Sequence, residues 1–78
     1  MASTPDIVFF HGRECSLCDK ARAVLDRVGA TYDAVDITGV AELEARYREW
    51  LPVVEIDGAR AFVYYVDEAA LRRKLSQT

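Results

Sequence analysis

Two cysteines separated by two residues, Cys15 and Cys18, are the residues of this chain best suited to covalent chemistry. A disulfide between them would close a loop of about four residues and stabilise a fold by roughly 2 kcal/mol, against about 4.7 kcal/mol for a hundred-residue loop. A structural zinc site normally takes four Cys or His ligands, whereas the chain has two Cys and one His. Because neither structural use suits the pair, we interpret it as a reactive centre.

The pair lies where a predicted strand leads into a predicted helix. Residues 6–10 are rich in strand formers and do not alternate in polarity, which predicts a strand buried on both faces. A helix is expected to begin near Cys15 or Ser16 and to end at Gly29, which suits a left-handed helix end. Its core-facing stripe is expected to comprise Leu17, Ala21, Val24, Leu25 and Val28.

The position of the pair at a helix start gives the two thiols different properties. The first turn of a helix has unpaired backbone N–H groups and carries partial positive charge. A Cys15 thiolate is therefore expected to cap the helix and accept a hydrogen bond from the Cys18 N–H, which favours the nucleophilic form. Arg13 also favours the thiolate, whereas Glu14 opposes it. Cys18, one turn inside, is expected to face the protein and keep a higher pKa.

This asymmetry predicts a dithiol mechanism for the reduction of disulfides. Cys15 attacks a substrate disulfide to form a mixed disulfide, and Cys18 then attacks Cys15, which leaves an oxidised pair. A two-residue-spaced pair beside a βαβ pattern is a redox signature in intracellular proteins. Two buried apolar thiols without chemistry are the alternative. His11, which also precedes the pair, is interpreted as a solvated loop residue.

The rest of the chain predicts a mixed sheet. Polar residues in the second predicted strand, 31–37, favour an edge position. Asp57-Gly58 predicts a tight hairpin between strands at 53–56 and 61–65. A crossover helix makes the first two strands parallel and the hairpin makes the last two antiparallel, with helices on both faces of the sheet.

The second and third helices are expected to begin at caps, Thr38 or Gly39 for the second and Asp67 for the third. The second helix ends before Pro52, because proline disfavours helical geometry in the residue that precedes it. The predicted order is β-α-β-α-β-β-α, in one α/β domain over residues 1–78. The buried stripe of the second helix is expected to comprise Val40, Leu43, Tyr47 and Trp50.

Composition and charge restrict the partners. With 51% hydrophobic and 29% charged residues, the chain has enough apolar content to fold. Its net charge of −3 argues against nucleic acid or an anionic membrane as a partner. The sequence has no export leader and no apolar run of about 18 residues, the length needed to cross a membrane. We therefore expect a soluble, cytoplasmic monomer.

These motifs together resemble a glutaredoxin of the thioredoxin superfamily, and more narrowly the short bacterial glutaredoxin-like proteins. That subgroup repeats a Cys-x-Leu-Cys-Asp stretch and a Tyr-x-x-x-x-Pro-Val-x-x-x-Asp-Gly stretch, which match residues 15–19 and 47–58. The resemblance extends over about residues 6–76. It implies a thioredoxin-like fold with a four-stranded sheet in the spatial order 2-1-3-4 and the last helix beside the first.

The resemblance also implies substrate-contacting roles. It implies a cis peptide bond before Pro52, which would lie against the redox pair, and backbone groups of Leu51 presented to the substrate. Without the resemblance, Pro52 is a helix terminator that opens an edge strand. Glutaredoxins carry a lysine at the position of Gly12, and Arg13 is its basic neighbour. The predicted substrate-binding residues are therefore Arg13, Leu51 and Pro52.

Three departures from the glutaredoxin pattern concern glutathione. Ser16-Leu17 replaces Pro-Tyr or Pro-Phe, Gly12 replaces the lysine that contacts the glutathione carboxylate, and Tyr65-Val66 stands where Gly-Gly precedes the last helix. The expected electron donor is either glutathione or a thioredoxin-reductase-like enzyme, with no bound cofactor or metal beyond the redox-active disulfide of the pair. The expected partner is a disulfide-containing protein or a small thiol.

Two other functions stay open at the level of sequence. Cys15, alone or with Cys18, could share an iron–sulfur cluster or a metal ion across a dimer, as some glutaredoxins do with glutathione. The domain could also be a thioredoxin-like adaptor without catalysis. Visible absorbance of the purified protein would indicate the cluster, and a lack of reductase-coupled activity would indicate the adaptor.

Overall fold

The computed structural model describes residues 5–76, which form a four-stranded mixed sheet with three α-helices packed on it. The elements in chain order are β1 (Ile7–His11), α1 (Ser16–Val28), β2 (Asp33–Asp36), α2 (Ala41–Tyr47) with a 3₁₀ helix (Arg48–Trp50), β3 (Val53–Ile56), β4 (Ala59–Val63) and α3 (Glu68–Ser76). The strands lie in the order β2-β1-β3-β4, with β1 parallel to β2 and the other pairs antiparallel. The predicted fold and strand order are confirmed.

The central strand β1 contributes side chains to two cores on opposite faces of the sheet. Ile7 and Phe9 belong to the α1/α3 core, whose other buried residues are Cys18, Ala21, Leu25, Val54, Val66 and Leu71. The α2 core comprises Phe10, Ile37, Tyr47 and Val53. Within it, the ring of Phe10 stacks on that of Tyr47 at a centroid distance of 4.1 Å. The predicted burial of the first strand on both faces is therefore confirmed.

Both ends of α1 follow their sequence signals. Cys15 is the N-cap residue, and Gly29 at the other end has a left-handed φ of 80°. The Gly29 N–H donates to the Asp26 carbonyl and the Ala30 N–H to the Leu25 carbonyl, which satisfies the last carbonyls of the helix. The helix is thus held at each end, and the cysteine pair lies at its start.

The buried row of α1 differs from the predicted stripe at its first turn. Cys18, Ala21 and Leu25 are buried, whereas Leu17 is 42% exposed. Leu17 precedes Cys18 by one residue, or about 100° of helical rotation. Because the Cys18 side chain points into the core, Leu17 is turned toward solvent. The prediction of Leu17 as a core residue is wrong.

The start of α2 also differs from prediction. Its N-cap is Val40, which makes no side-chain capping hydrogen bond, so the predicted caps Thr38 and Gly39 are wrong. The Thr38 N–H donates to Asp36 Oδ1 at 2.9 Å, and the Gly39 N–H donates to Glu44 Oε2 at 3.1 Å. These bonds satisfy the turn before the helix and replace a conventional cap.

The end of α2 tightens into 3₁₀ geometry at Arg48. The change from 3.6 to 3.0 residues per turn moves Trp50 out of the apolar row of the helix. Trp50 is 40% exposed and Val40 is 44% exposed, so neither is the core residue that the sequence predicts. Tyr47 is buried and Leu43 packs against the α2 core, as expected.

The β3–β4 hairpin has the predicted turn but a different second strand. Asp57 and Gly58 have φ values of 52° and 82°, the positive values that a type I′ turn requires. β4 follows this turn directly and ends at Val63, so it begins and ends earlier than the predicted 61–65. Tyr64, with a φ of 65°, turns the chain away from the sheet.

The remaining elements match their predictions more closely. β2 is an edge strand next to β1, although it is shorter than the predicted 31–37. Asp67 caps α3, because its Oδ1 accepts a hydrogen bond from the Ala69 N–H at 3.3 Å. Among residues 5–76, no helix has the length and apolar character needed to cross a membrane.

Candidate functional site

Cys15 lies between the loop after β1 and the first turn of α1. Its backbone is extended, with φ −118° and ψ 100°, and its Sγ accepts a hydrogen bond from the Cys18 N–H at 3.1 Å. The helix start therefore directs a donor and partial positive charge at this sulfur. Both cysteines are free thiols, and Cys15 is the more exposed of the two. The predicted helix cap is confirmed.

Cys18 has the opposite environment. Its side chain is 3% exposed and packs in the α1/α3 core. Burial, and to a lesser extent the hydrogen bond with Cys15, raise the pKa of the Cys18 thiol to about 12, although a hydrogen bond from the Gly12 backbone opposes the rise. Cys18 is therefore a neutral thiol at pH 7, as its predicted inward position requires. Residues 5–76 hold no group of three or more His, Cys, Asp or Glu arranged to bind a metal ion.

Leu51 and Pro52 lie at the same end of the sheet as the cysteine pair. β3 runs antiparallel to β1 with Val53 opposite Phe10, so the segment before β3 lies beside the loop after β1. The Leu51-Pro52 peptide bond is cis, as the resemblance implies, and Pro52 is buried. The Leu51 side chain packs against both the α1/α3 core and the α2 core.

Gly12 leaves the space that the Leu51 side chain occupies. A Cβ atom at position 12 would lie 2.8 Å from Leu51 Cδ1 and 3.7 Å from Arg48 Nη1. The first distance is well inside the 3.5–4.0 Å at which carbon atoms pack, so a larger residue would displace Leu51. The glycine at this position therefore lets the Leu51 side chain pack against the loop before the cysteine pair.

Arg13 lies on the side of the loop that faces the end of β2. Its N–H donates to Thr38 Oγ1 at 3.1 Å. Hydrogen bonds from Thr38 hold the pKa of the Asp36 carboxyl below its usual range, and the charges of His11 and Arg13 lower it further. The hydrogen bonds and ion pairs within residues 5–76 include none between the Arg13 side chain and Cys15. Arg13 thus orients the loop before the cysteine pair.

A turn after β4, centred on Tyr64, is connected to the Leu51-Pro52 segment. The Tyr65 N–H donates to the Val63 carbonyl at 2.6 Å, which closes a three-residue turn around Tyr64, whose φ is 65°. A positive φ is unusual for a bulky side chain. The Tyr64 N–H donates to the carbonyls of Pro52 at 3.0 Å and Trp50 at 3.3 Å, and these bonds hold the turn in place.

The Tyr64 turn and α1 enclose an apolar groove beside the cysteine pair. This α1 groove is shallow, with an enclosed volume of about 30 Å³. Its walls include Leu17, Lys20 and Val24 from α1 and Tyr64, Tyr65 and Val66 from the segment after β4. The sequence pattern does not predict it, because it assigns Leu17 to the core and both tyrosines to a strand. The sequence feature that could have indicated the groove is the pair of tyrosines, Tyr64 and Tyr65, just before the cap of the last helix.

Comparison with known proteins finds a matching family model and several similar solved structures. A family model described as Glutaredoxin-like domain (DUF836) matches residues 6–76. Protein XcR50 from X. campestris is 27% identical, with a TM-score of 0.80 over 92% of this chain and 97% of its own. Protein Ne2328 from Nitrosomonas europaea is 17% identical, with a TM-score of 0.71 over 96% and 95%. A buckwheat glutaredoxin solved as a glutathione complex is 18% identical, with a TM-score of 0.62 over 94% and 70%. No curated protein sequence matches the chain.

Proposed function

Since the chain belongs to the glutaredoxin-like domain family, we propose that it reduces disulfides by a dithiol mechanism, with Cys15 as nucleophile and Cys18 as resolving thiol. The glutaredoxin-like fold supports thiol–disulfide oxidoreductase chemistry in general. The observation that carries the finer assignment is the difference between the two thiols. Cys15 accepts a helix N–H and is partly exposed, whereas Cys18 is buried in the core.

In the first step, the Cys15 thiolate attacks one sulfur of the substrate disulfide. A bond forms between Cys15 Sγ and that sulfur, the substrate S–S bond breaks, and the other sulfur leaves as a thiolate that takes a proton from water. The Cys18 N–H, 3.1 Å from Cys15 Sγ, and the partial charge of the first helical turn favour the attacking thiolate. Cys18 does not compete for the substrate, because its side chain is buried.

In the second step, Cys18 passes its proton to water and attacks Cys15 Sγ, with which it forms a new S–S bond. The mixed disulfide breaks, the second substrate sulfur leaves as a thiolate, and two electrons have passed from the pair to the substrate. Burial raises the pKa of Cys18 most, and the hydrogen bond and negative charge of Cys15 raise it further. Once Cys15 is in the mixed disulfide these last two effects are gone, so Cys18 ionises more readily when it must react.

Leu51, Pro52 and Arg13 position the substrate in this proposal. Leu51 lies next to the loop that carries Cys15, because its side chain covers Gly12. Its backbone is offered to the polypeptide that carries the substrate disulfide, and Pro52 fixes the segment from its buried position. Arg13 is exposed two residues before Cys15 and attracts substrate carboxylates.

The oxidised pair must regain two electrons from a donor, which we propose to be glutathione or a thioredoxin-reductase-like enzyme. The reductase is the donor that we favour, because position 12 carries no lysine to hold a glutathione carboxylate and the Leu51 side chain packs against Gly12 instead. On this proposal the protein acts in the cytoplasm as a monomer without a bound cofactor, and its partner is a disulfide-containing protein or a small thiol.

Trapping tests the assignment of the two cysteines. The Cys18→Ser variant should accumulate a mixed disulfide with a disulfide-bearing protein, visible by mass spectrometry and reversed by dithiothreitol. The Cys15→Ser variant should accumulate none. A mixed disulfide that forms through Cys18 in the Cys15→Ser variant would overturn the assignment of the nucleophile.

Donor coupling tests the activity itself. Disulfide reduction is measured with glutathione and its reductase, and separately with thioredoxin reductase, for the wild type and both variants. We expect turnover by the wild type with at least one donor and none by Cys15→Ser. A wild-type protein that is inactive with both donors would contradict the oxidoreductase function.

A further inference from the structure

We propose that the α1 groove binds an apolar side chain, and Lys20 a neighbouring carboxylate, of an extended polypeptide segment that flanks the substrate cysteine. The substrate class is then protein disulfides with an apolar and acidic flank. This inference rests on the proposed function, since it concerns the substrate of the same cysteine pair. It starts from an exposed apolar surface: Leu17, Tyr64 and Tyr65 are 42%, 45% and 66% exposed.

The groove continues directly from the reactive centre. Leu17 lies between Cys15 and Cys18 in the first turn of α1, and Val24 lies further along the same wall. These two side chains are about 10 Å apart along the helix axis, at 1.5 Å per residue. An extended chain advances about 3.3 Å per residue, so the groove spans about three residues. A substrate cysteine at Cys15 therefore places a side chain two or three positions away in the groove.

The groove is shallow and suits one side chain laid along its walls. Its enclosed volume is about 30 Å³, far below the range of about 300–1,000 Å³ for small-molecule sites. Its aromatic wall is fixed, because the Tyr64 N–H is held by the carbonyls of Trp50 and Pro52. Strained backbone of this kind persists where the surrounding structure holds it, and it is common at ligand sites. The rings of Tyr64 and Tyr65 can then stack on an aromatic side chain of the substrate.

Charge complementarity adds the second requirement on the occupant. Lys20 is the charged side chain in the groove wall, and it makes no ion pair with any of residues 5–76. Glu68 at the start of α3 is already held by Arg27 at 2.8 Å and Arg72 at 3.1 Å. The positive charge is therefore available to a carboxylate of the occupant. Glutathione has carboxylates but no apolar side chain, so the apolar walls favour a polypeptide.

The test uses fully reduced protein in single-turnover reactions, so that its own dithiol supplies the two electrons. The substrates are Cys-Ala-Phe-Asp, Cys-Ala-Phe-Lys and Cys-Ala-Ser-Asp peptides, each linked by a disulfide to thionitrobenzoate, and the same mixed disulfide of glutathione. The released coloured thiolate gives the rate. We expect the Phe-Asp peptide to react about tenfold faster than the Ser-Asp peptide and glutathione. It should react about three- to tenfold faster than the Phe-Lys peptide.

Three variants test whether the preferences for Phe and for Asp in the peptide depend on the groove. Lys20→Glu should reverse the preference between the Asp and Lys peptides, and Tyr65→Ser should remove the preference for Phe. Lys74→Glu makes the same charge change on the exposed side of α3, outside the groove, and should leave both preferences as in the wild type. Because Lys20→Glu is expected to gain rate with the Lys peptide, loss of folding cannot produce the expected result.

The outcomes separate this inference from the proposed function. Equal rates for the three peptides in an active protein would overturn the groove assignment and leave the oxidoreductase function intact. A glutathione disulfide that reacts fastest, and slows in Lys20→Glu, would overturn it in favour of glutathione. No thiolate release from any substrate would contradict the oxidoreductase function itself.

Discussion

The two ends of β4 both turn the chain through positive φ values, but with different residue types. The turn before β4 uses Asp57 and Gly58, with φ values of 52° and 82°. Gly takes such values freely and Asp tolerates them. The turn after β4 uses Tyr64 at a φ of 65°, where a bulky side chain costs about 1–2 kcal/mol.

This difference shows which end of the molecule is relaxed and which stores strain. At the hairpin end, Asp57 Oδ1 accepts a hydrogen bond from the Asp6 N–H at 2.9 Å, and the Asp57 N–H donates to the Asp6 carbonyl at 2.8 Å. At the redox end, Glu14 has a φ of 54° in addition to that of Tyr64. Both strained residues flank the surface around Cys15. The fold is therefore stabilised at one end and presents reactive groups at the other.

The largest expected effect is that of Cys15→Ser, which should remove the activity of the redox end and leave the stability of the fold nearly unchanged. Disulfide reduction should fall to background, because a serine hydroxyl does not replace the nucleophilic thiolate. The free energy of unfolding should change by no more than about 0.5 kcal/mol, since serine is a good N-cap residue and can accept the Cys18 N–H. Coupled activity and urea unfolding measure the two effects. A variant that loses stability as well would show that the redox end also supports the fold.

The second-largest effect is expected in the pH dependence of the free energy of unfolding, to which Cys18 at the redox end contributes. The pKa of Cys18 is about 12 in the folded protein against 9.0 for an ordinary thiol. As the pH rises above 9.0, the unfolded thiol ionises first, so unfolding becomes more favourable. The contribution of the neutral Cys18 thiol to the free energy of unfolding is fully present below pH 9.0 and is lost as the pH rises toward 12.

Urea unfolding of the reduced and the oxidised protein across that pH range measures this loss. The oxidised protein is the control, because its disulfide has no thiol to ionise while its lysines and tyrosines still titrate. We expect the reduced form to lose more stability than the oxidised form. The same alkaline loss in both forms would contradict the burial of a high-pKa thiol.

At the hairpin end, Gly58→Ala should lower stability without affecting the chemistry. A Cβ at position 58 meets no atom within 4 Å, so the effect comes from the backbone φ of 82° alone. We expect a loss of about 1–2 kcal/mol. Urea unfolding measures it, and the rate of Cys15 alkylation by iodoacetamide should equal that of the wild type. An altered alkylation rate would show that the two ends are coupled.

The smallest expected effect, and of opposite sign, is that of Tyr64→Gly. Relief of about 1–2 kcal/mol of left-handed strain should exceed the extra backbone entropy of glycine, about 0.5–1 kcal/mol. A net gain of about 0.5 kcal/mol in urea unfolding is expected by that difference. A loss larger than about 1 kcal/mol would show that the contact between the Tyr64 and Trp50 rings, now 5.9 Å apart, outweighs the strain.

The features of this molecule that the sequence predicts well have local causes. The Cys15 cap, the Gly29 helix end and the Asp57-Gly58 turn each depend on residues that are neighbours in the chain. The mixed sheet follows from the lengths of the connections between strands. The cis bond before Pro52 follows only from the family resemblance, because residue type alone makes it uncommon.

The features that the sequence does not predict depend on distant contacts. The exposure of Leu17 depends on which side of α1 faces the sheet, and Cys18 takes the inward position. The exposure of Trp50 depends on a local change to 3₁₀ geometry that no residue type announces. The Tyr64 turn is held by carbonyls of residues 50 and 52, which lie more than ten positions earlier in the chain.

Leu51 packs against both cores, although the sheet separates them. A local opening of the segment that carries it would expose apolar surface on both faces of the sheet at once. Segments that open independently are those with few buried contacts. The segment that carries Leu51, in contrast, has buried contacts on both faces of the sheet. We therefore expect this segment to open only with the whole domain, so that the surface around Cys15 keeps its shape for as long as the domain stays folded.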